Sequence, residues 1–219
     1  MKYVCHYFLA VAGSWFLLSF AGRCGAATVP ASSPSSHSRW TLYAGRLADN
    51  DLPVFASDTL RGRLSWRNAY FTGASYLQPI EAPGWLHRAA GRIGLEHISH
   101  DIEWIGLQHF GGQHNPEIAL AYMVHSPQAD WGGLHLRAGV GFGPSLALGR
   151  PSAEDGPTRQ PEKRSRLQHY IALEIEAAMP ERSTYSVVLR LHHRSGVYGL
   201  VAPKGVGSNF VTVGLRFPF

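Results

Sequence analysis

Apolar side chains recur at every second position in several segments of this chain. The clearest case is Ser208–Phe219, where the odd positions from Val211 onward are apolar and the even positions are mostly small or polar. Successive side chains of a β-strand point to opposite faces, so this alternation predicts a strand with one apolar face and one polar face.

Eight segments show this two-residue period, and beyond the N-terminal region we find no sustained period of 3.6 residues. Alternation over this many segments predicts an all-β domain and argues against a helical bundle. The predicted strands are Trp40–Leu47, Asn68–Ile80, Asp101–Phe110, Glu117–His125, Gly132–Leu146, Leu167–Ala177, Tyr185–Ser195 and Ser208–Phe219.

One apolar face per strand suits a barrel in lipid, where that face meets acyl chains and the other face lines the lumen. An aromatic residue that closes the last strand, here Phe219, is typical of bacterial outer-membrane barrels. The 24 glycines and 11% aromatic residues suit tight turns and aromatic belts. We therefore predict an all-β fold over residues 39–219: an eight-stranded antiparallel transmembrane β-barrel of the bacterial outer membrane.

The N-terminal residues predict export. Tyr7–Ala21 is apolar but shorter than the about 20 residues of a spanning helix. Small residues follow at Gly25–Ala27, so residues 1–27 are interpreted as a cleaved signal peptide. An uncleaved anchor is the alternative. Residues 28–38, rich in serine and proline, are predicted to be a flexible leader into the barrel.

Both cysteines, Cys5 and Cys24, lie in the predicted signal peptide. The mature chain would then have neither a disulfide nor a thiolate nucleophile. Lipidation at Cys24 is an alternative, but Arg23 replaces the small residue expected before a lipoprotein cysteine.

An even strand number puts both chain ends in the periplasm. The loops after the odd-numbered predicted strands are then extracellular; they are 48–67, 111–116, 147–166 and 196–207. Turns 126–131 and 178–183 are short, as periplasmic turns should be. Segment 81–100 is too long for such a turn. We interpret it as a short amphipathic periplasmic segment, the alternative being a ninth strand at Gly91–Ser99.

The apolar face of the seventh predicted strand ends in two polar residues, His193 and Ser195. Residues two apart in a strand share a face and lie about 7 Å apart, so His193 can act as the general base for the Ser195 hydroxyl. The strand direction places both side chains at the extracellular end, facing the outer leaflet. The alternative is that they are interfacial residues, with His192 and Arg194 binding phosphates.

Other polar groups are better explained by structure. Glu174 and Glu176 share the lumen face of the sixth predicted strand and could act as an acid–base pair. A polar network with lumen arginines such as Arg190 and Arg216 is favoured instead. Gly139, Gly141 and Gly143 are interpreted as small lumen-facing residues.

With 12 histidines in the chain, chance pairs with serine are expected. His97 with Ser99, and His125 with Ser126, are interpreted in this way. Three further residues, His109, His114 and Glu117, match no strong metal motif, so a loop interpretation is preferred.

The formal charge of +5 suggests an anionic partner. The arginines are scattered and do not form a stripe, which favours anionic lipid over nucleic acid.

At His193-Arg194-Ser195, the loop that follows and the last strand, the chain resembles the outer-membrane lipid A 3-O-deacylases. The resemblance implies an eight-stranded barrel that hydrolyses an ester-linked acyl chain of lipid A. It also implies that His193 is the general base and Ser195 the nucleophile. Further similarity, to an uncharacterised branch of the family, covers Tyr43–Asp51, His109–Gly111, Leu191–Leu200 and Gly207–Phe210.

Two positions depart from the family pattern. Gly196 stands where the family commonly has Asn after the serine. The acidic residue that orients the histidine is absent, because its position aligns with Gly207 or Ser208. Asn209, on the same face as His193, is the candidate orienting residue, as in papain-like sites. Backbone amides near Gly196 are the candidate oxyanion site.

The first hypothesis is therefore an outer-membrane esterase acting on lipid A or lipopolysaccharide, in contact with outer-membrane lipids and without cofactor or metal. The second is a catalytically inactive small barrel with a structural or lipopolysaccharide-binding role. A pore is disfavoured, because side chains fill an eight-stranded interior. Nucleic acid is not expected as a partner, and the sequence leaves open whether the protein forms a homodimer.

Overall fold

The computed structural model describes residues 37–92, 97–154, 161–179 and 184–219. Their main elements are nine β-strands and two short α-helices. In chain order they are β1 (Arg39–Ala48), α1 (Leu52–Leu60), β2 (Trp66–Ile80), α2 (Gly84–Gly91), β3 (Ser99–Gly111), β4 (Pro116–His125), β5 (Ala129–Trp131), β6 (Leu134–Ala147), β7 (Leu167–Ala178), β8 (Ser186–Ser195) and β9 (Gly207–Pro218).

Eight of these strands close into an antiparallel barrel. Each long strand pairs with the next long strand along the chain, and β9 pairs with β1, which closes the ring. Closure pairs both edges of each of these eight strands with a neighbour. The prediction of an eight-stranded antiparallel barrel is confirmed, and the observed strand limits agree with the predicted ones to within two residues.

The connections differ from the prediction in two places. The predicted turn 126–131 contains β5, which pairs with the start of β6 through a turn at Gly132 and Gly133, both with positive φ. Helix α1 occupies the first loop and was not predicted. None of its residues is buried, so it carries no apolar stripe that a pattern would reveal.

The long segment 81–100, interpreted from the sequence as a short amphipathic segment, contains helix α2. A ninth strand at Gly91–Ser99 is not formed by the described part of that range, because Gly91 ends α2 and Ser99 begins β3. Residues 93–96 lie outside the described residues, as do the predicted signal peptide 1–27 and most of the leader 28–38. Within the described ranges, no helix has the length and apolar content to span a membrane.

The two faces of the strands have opposite chemistry. On β9 the side chains of Val213 and Leu215 are exposed on the outside, while Thr212 and Arg216 are buried in the lumen. The other long strands alternate in the same way, with exposed apolar residues such as Leu42, Trp104, Ile118, Ile175 and Leu189 on the outside. The outer wall is therefore largely apolar.

The lumen is filled by side chains from all around the barrel. On β6 the inward positions are Gly139, Gly141 and Gly143, and the space beside them is taken by neighbouring strands. A Cβ at Gly139 would lie 2.7 Å from both Glu174 and His125, and one at Gly141 would overlap the Met123 sulfur. The glycines are thus small lumen residues, as predicted, and they make room for the polar interior.

That interior is an ion network centred on Glu174. Its carboxylate accepts hydrogen bonds from Arg190 Nε at 2.9 Å and from Arg216 at 2.9 Å. Arg216 also binds Glu176 at 2.6 Å, and Arg190 reaches Glu103 at 2.9 Å. The predicted pairing of the two lumen glutamates with Arg190 and Arg216 is confirmed.

Gly143 offers a test of how tightly the strands pack. We expect Gly143→Ala to destabilise the barrel by about 1–3 kcal/mol, because the added Cβ would overlap the backbone oxygen of Leu120, which cannot rotate away. Thermal unfolding of the purified barrel in detergent, followed by circular dichroism, measures the effect.

Gly106 on β3 is the matched control, since no heavy atom lies within 4 Å of a Cβ built there. Gly106→Ala is expected to leave the unfolding temperature nearly unchanged. Equal decreases in unfolding temperature for the two substitutions would mean that the overlap with Leu120 of β4 is not the cause of the lost stability.

Candidate functional site

Strand β8 carries the candidate pair on the face opposite to the lumen. Its inward side chains, Arg190, His192 and Arg194, are buried and hydrogen-bonded to carboxylates inside the barrel. Arg194, between the two candidates, donates to Glu154 at 2.6 Å. Since neighbouring strand residues point to opposite faces, His193 and Ser195 lie together on the outward side, at the end of β8 that leads into the 196–206 loop.

The imidazole of His193 is covered, with only 8% of the residue exposed. Its strand partner on β9 is Asn209, which the register places directly opposite. Nδ1 of His193 and Oδ1 of Asn209 are 2.6 Å apart. The structure therefore brings together the histidine and the asparagine that the sequence paired.

Asn209 is itself oriented by the first loop. Its amide nitrogen donates to the backbone oxygen of Asn50 at 2.7 Å, which turns Oδ1 towards His193. An amide oxygen only accepts, so Nδ1 of His193 must carry the hydrogen. In the neutral ring Nε2 is then the basic nitrogen, which is the form a general base requires.

The position of Asn50 is fixed in turn by its own side chain. Its amide nitrogen donates to Asp58 of α1 at 2.8 Å, and its side-chain oxygen accepts the Ser65 backbone N–H at 2.7 Å. The loop between β1 and β2 thus sets the ring form of His193 through Asn50 and Asn209. No sequence pattern marks Asn50 for this role, because it acts through a backbone oxygen that any residue possesses.

Ser195 is half-buried and lies opposite His169 on β7 and Gly207 on β9. Among the described residues no hydrogen bond joins its hydroxyl to His193. The two side chains share a strand face, so rotation of the short serine side chain is the movement that would bring them together. Catalytic hydrogen bonds are often long before substrate binds and shorten in the complex.

The backbone after Ser195 forms a concave set of amides. Gly196 has φ −81° and ψ 1°, and Val197 and Tyr198 follow with φ of 49° and 55°. A right-handed residue followed by a left-handed one turns successive N–H groups to the same side, a geometry that binds anions. Two non-glycine residues with positive φ are also strained, at about 1–3 kcal/mol each.

The structure explains Gly196, which replaces the asparagine of the deacylase pattern. The loop folds back over it, so that its carbonyl accepts the N–H groups of Val201 at 3.0 Å and Ala202 at 3.2 Å. A Cβ at this position would overlap the backbone oxygen of Ala202 and lie 2.7 Å from that of Pro203. Any side chain at residue 196 would therefore displace this loop.

The remaining histidine candidates lie outside β8 and β9. His125 is in the lumen network, bonded to Asp101 and Glu174 at 2.9 Å each. His109 on β3 and Glu117 on β4 are buried and bond each other at 2.8 Å, so the loop interpretation is wrong for these two, while His114 is exposed between the strands. Within the described ranges, no group of three or more His, Cys, Asp or Glu side chains is arranged to hold a metal ion.

The pair at residues 97 and 99 is not a second copy of the site. Ser99 accepts a hydrogen bond from Arg137, and the segment lies at the opposite end of the barrel from the 196–206 loop. Ser126, beside His125, is likewise engaged locally, because its hydroxyl donates to Pro127 O at 2.9 Å.

No protein-family model and no curated protein sequence matches this chain. Solved structures do match it. LpxR from Salmonella typhimurium aligns over 84% of this chain and 69% of its own, with 9% identity and a TM-score of 0.35, too low to support an argument. The outer membrane enzyme PagL aligns over 82% of this chain and 99% of its own, with 10% identity and a TM-score of 0.53. The chain thus shares its barrel fold with PagL.

Proposed function

We propose that the protein is an outer-membrane esterase that hydrolyses an ester-linked acyl chain of lipid A. The observation that carries the proposal is the bond from His193 to Asn209, which leaves Nε2 as the basic nitrogen on the face of β8 that also bears Ser195. The resemblance at His193-Arg194-Ser195 to lipid A 3-O-deacylases indicates the substrate class.

The outer wall of the barrel supports a place in the membrane. Exposed apolar residues cover it, as acyl chains require, while the charged side chains are paired inside. The long 49–65, 148–166 and 196–206 connections share one end of the barrel, and both ends of the described barrel lie at the other. With both barrel termini in the periplasm, His193 and Ser195 face the outer leaflet, where lipopolysaccharide resides.

In the proposed reaction Ser195 Oγ attacks the ester carbonyl while His193 Nε2 takes its proton. The amides of Gly196 and Val197 hold the oxyanion of the tetrahedral intermediate. Collapse breaks the bond to the sugar oxygen, which takes the proton from His193, and leaves the acyl group on Ser195. A water molecule, deprotonated by His193, then attacks the acyl carbonyl. The bond to Ser195 Oγ breaks, His193 returns the proton to that oxygen, and the fatty acid leaves. The scheme uses no metal or cofactor.

Asn209 takes the role of the missing acid by fixing the ring form of His193. A neutral amide stabilises the imidazolium less than a carboxylate does, so the proposed enzyme is expected to be slower than one with a complete triad. The burial of His193 adds to this effect, because removal of water disfavours the charged imidazolium that forms when the ring takes the serine proton.

The direct test is mass spectrometry of lipid A from Gram-negative cells that express the chain, compared with cells carrying the empty vector. The proposal predicts a second lipid A species that lacks one hydroxyacyl group. Unchanged lipid A, with the barrel shown to be folded in the outer membrane, would contradict the proposal.

Unchanged lipid A would favour an inactive barrel with a structural or lipopolysaccharide-binding role. Two observations support this alternative: no hydrogen bond joins Ser195 to His193 within the described residues, and the His193 partner is an amide where the resembling enzymes have a carboxylate.

Asn209→Ala is expected to lower the rate of acyl release by about 100-fold, since a small misorientation of a catalytic base has an effect of that size. The reduction should appear in kcat with little change in KM, because Asn209 orients the base and is not proposed to hold the substrate. Release of fatty acid from lipid A in mixed micelles gives both constants.

The matched control is Asn115→Ala, which removes a buried asparagine from the same end of the barrel. Its amide bonds the Pro116 backbone at 2.9 Å and is not part of the proposed site. A comparable loss of kcat in both variants would indicate general destabilisation, and would overturn the orienting role of Asn209.

A further inference from the structure

One arginine lies among aromatic side chains on the outer wall near the candidate site. The guanidinium of Arg46 on β1 lies over the rings of Trp66 and Tyr70 on β2, with its central carbon 5.4 and 5.5 Å from the ring centres. Tyr70 in turn stacks on Phe110 of β3 at 5.6 Å. These cation–π and stacking contacts hold an exposed cation in one place.

The charge of Arg46 has no protein counter-ion in the described part of the chain. Its Nε donates to the Arg67 backbone oxygen at 3.4 Å, and no carboxylate among the described residues lies within ion-pair distance. Its neighbour Arg67 does have such a partner, Asp49 at 3.4 Å. The two terminal nitrogens of Arg46 therefore face solvent or lipid with their donors available.

The strand register places Arg46 near the His193 site. His193 pairs with Asn209, and Asn209 pairs with Ala48, two residues beyond Arg46 on the same face of β1. Two strand spacings across and two residues along give about 12 Å between the Cα atoms of Arg46 and His193. That separation is of the size of a disaccharide headgroup.

A guanidinium on a lipid-facing wall is unfavourable at the bilayer midplane and is tolerated near the interface, where anionic headgroups lie. Arginine binds phosphate through two parallel N–H donors, and stacking on aromatic rings leaves those donors free. Inside the barrel the buried Arg190, Arg194 and Arg216 all have carboxylate partners, whereas Arg46 on the outer wall has aromatic neighbours instead.

We propose that Arg46, with Trp66 and Tyr70 beneath it, is the binding site for a phosphate monoester of the glycolipid headgroup. The assignment rests on the proposed function in that it takes lipid A as the substrate. It adds that the protein recognises the phosphorylated sugar and not the acyl chains alone, and that Arg46 anchors the headgroup while the ester lies at His193 and Ser195.

Binding measured without turnover tests the site. The Ser195→Ala protein in a neutral detergent is titrated with phosphorylated lipid A and with dephosphorylated lipid A, and Kd is obtained from Trp fluorescence and calorimetry. Adding Arg46→Gln is expected to weaken binding of the phosphorylated lipid about 10-fold or more, the effect of losing charged hydrogen bonds. Binding of the dephosphorylated lipid should not change.

Arg61→Gln is the matched control, because Arg61 is an exposed arginine of the first loop at the same end of the barrel. Equal weakening by Arg61→Gln would indicate general charge attraction and overturn the proposal. So would equal effects of Arg46→Gln on both lipids. Inorganic phosphate provides the third titration. If it binds in an Arg46-dependent manner as tightly as the lipid does, the site is one for free anions, and the headgroup assignment is wrong.

This experiment separates the two proposals. Phosphate-selective binding that depends on Arg46, in a protein whose wild type leaves lipid A uncleaved, would support the headgroup site and reject the esterase. If the wild type cleaves lipid A but Arg46→Gln leaves lipid binding unchanged, the esterase is supported and the headgroup site is rejected.

Discussion

Ser195→Ala is expected to reduce acyl release from lipid A by about 10⁴-fold or more, because the substitution removes the attacking oxygen itself. The remaining amides and His193 could still bind the substrate, so KM should change little. The measurement is fatty-acid release by purified wild-type and variant barrels in mixed micelles, with equal amounts of folded protein confirmed by circular dichroism.

Two further variants sharpen this prediction. Ser57→Ala, which removes a hydroxyl that bonds only within α1, should retain full activity. The double variant Ser195→Ala with His193→Ala should lose no more than Ser195→Ala alone, since the members of a catalytic unit act together. If Ser195→Ala kept a tenth of the activity, Ser195 would not be the nucleophile.

Glu174→Gln is expected to destabilise the barrel by about 3–5 kcal/mol, the usual effect of removing one member of a buried ion network. The carboxylate of Glu174 bonds Arg190, Arg216 and His125 at once. The neutral amide of glutamine would remove one negative charge, so the buried guanidinium groups of Arg190 and Arg216 would no longer be fully neutralised. Urea unfolding in detergent, followed by tryptophan fluorescence, gives the change in free energy.

Glu162→Gln is the control, since that side chain is exposed in the loop between β6 and β7. Its effect should stay below about 0.5 kcal/mol, as for most surface substitutions. A loss below about 1 kcal/mol for Glu174→Gln would mean that the lumen tolerates the unbalanced charge, against the usual behaviour of buried ion pairs.

The barrel could be predicted from the sequence because every long strand repeats the same two-residue signal. The lumen pairing of Glu174 with Arg190 followed from the same parity. Strand β5 was missed because three residues are too few to show a period. Helix α1 was missed because it packs no face into the barrel, so its sequence carries no helical periodicity.

Part of the candidate site could also be predicted from the two-residue alternation. His193, Ser195 and Asn209 share one outward face, and the pairing of β8 with β9 brings two of them into contact. The rest depends on backbone geometry. The carbonyl of Asn50 has no sequence signature, and Val197 adopts a positive φ that sequence reasoning normally assigns to glycine.

The pairing of β1 with β9 has a consequence for how the molecule forms. Arg39 lies opposite Pro218, so the contact that closes the ring joins residues from opposite ends of the barrel sequence. Until β9 is in place, β1 and β8 each have an unpaired edge. Glu174 and Glu176 then also lack the positive charge of Arg216, which lies on β9. Closure is therefore expected to be a late, slow step that completes backbone pairing and charge balance together.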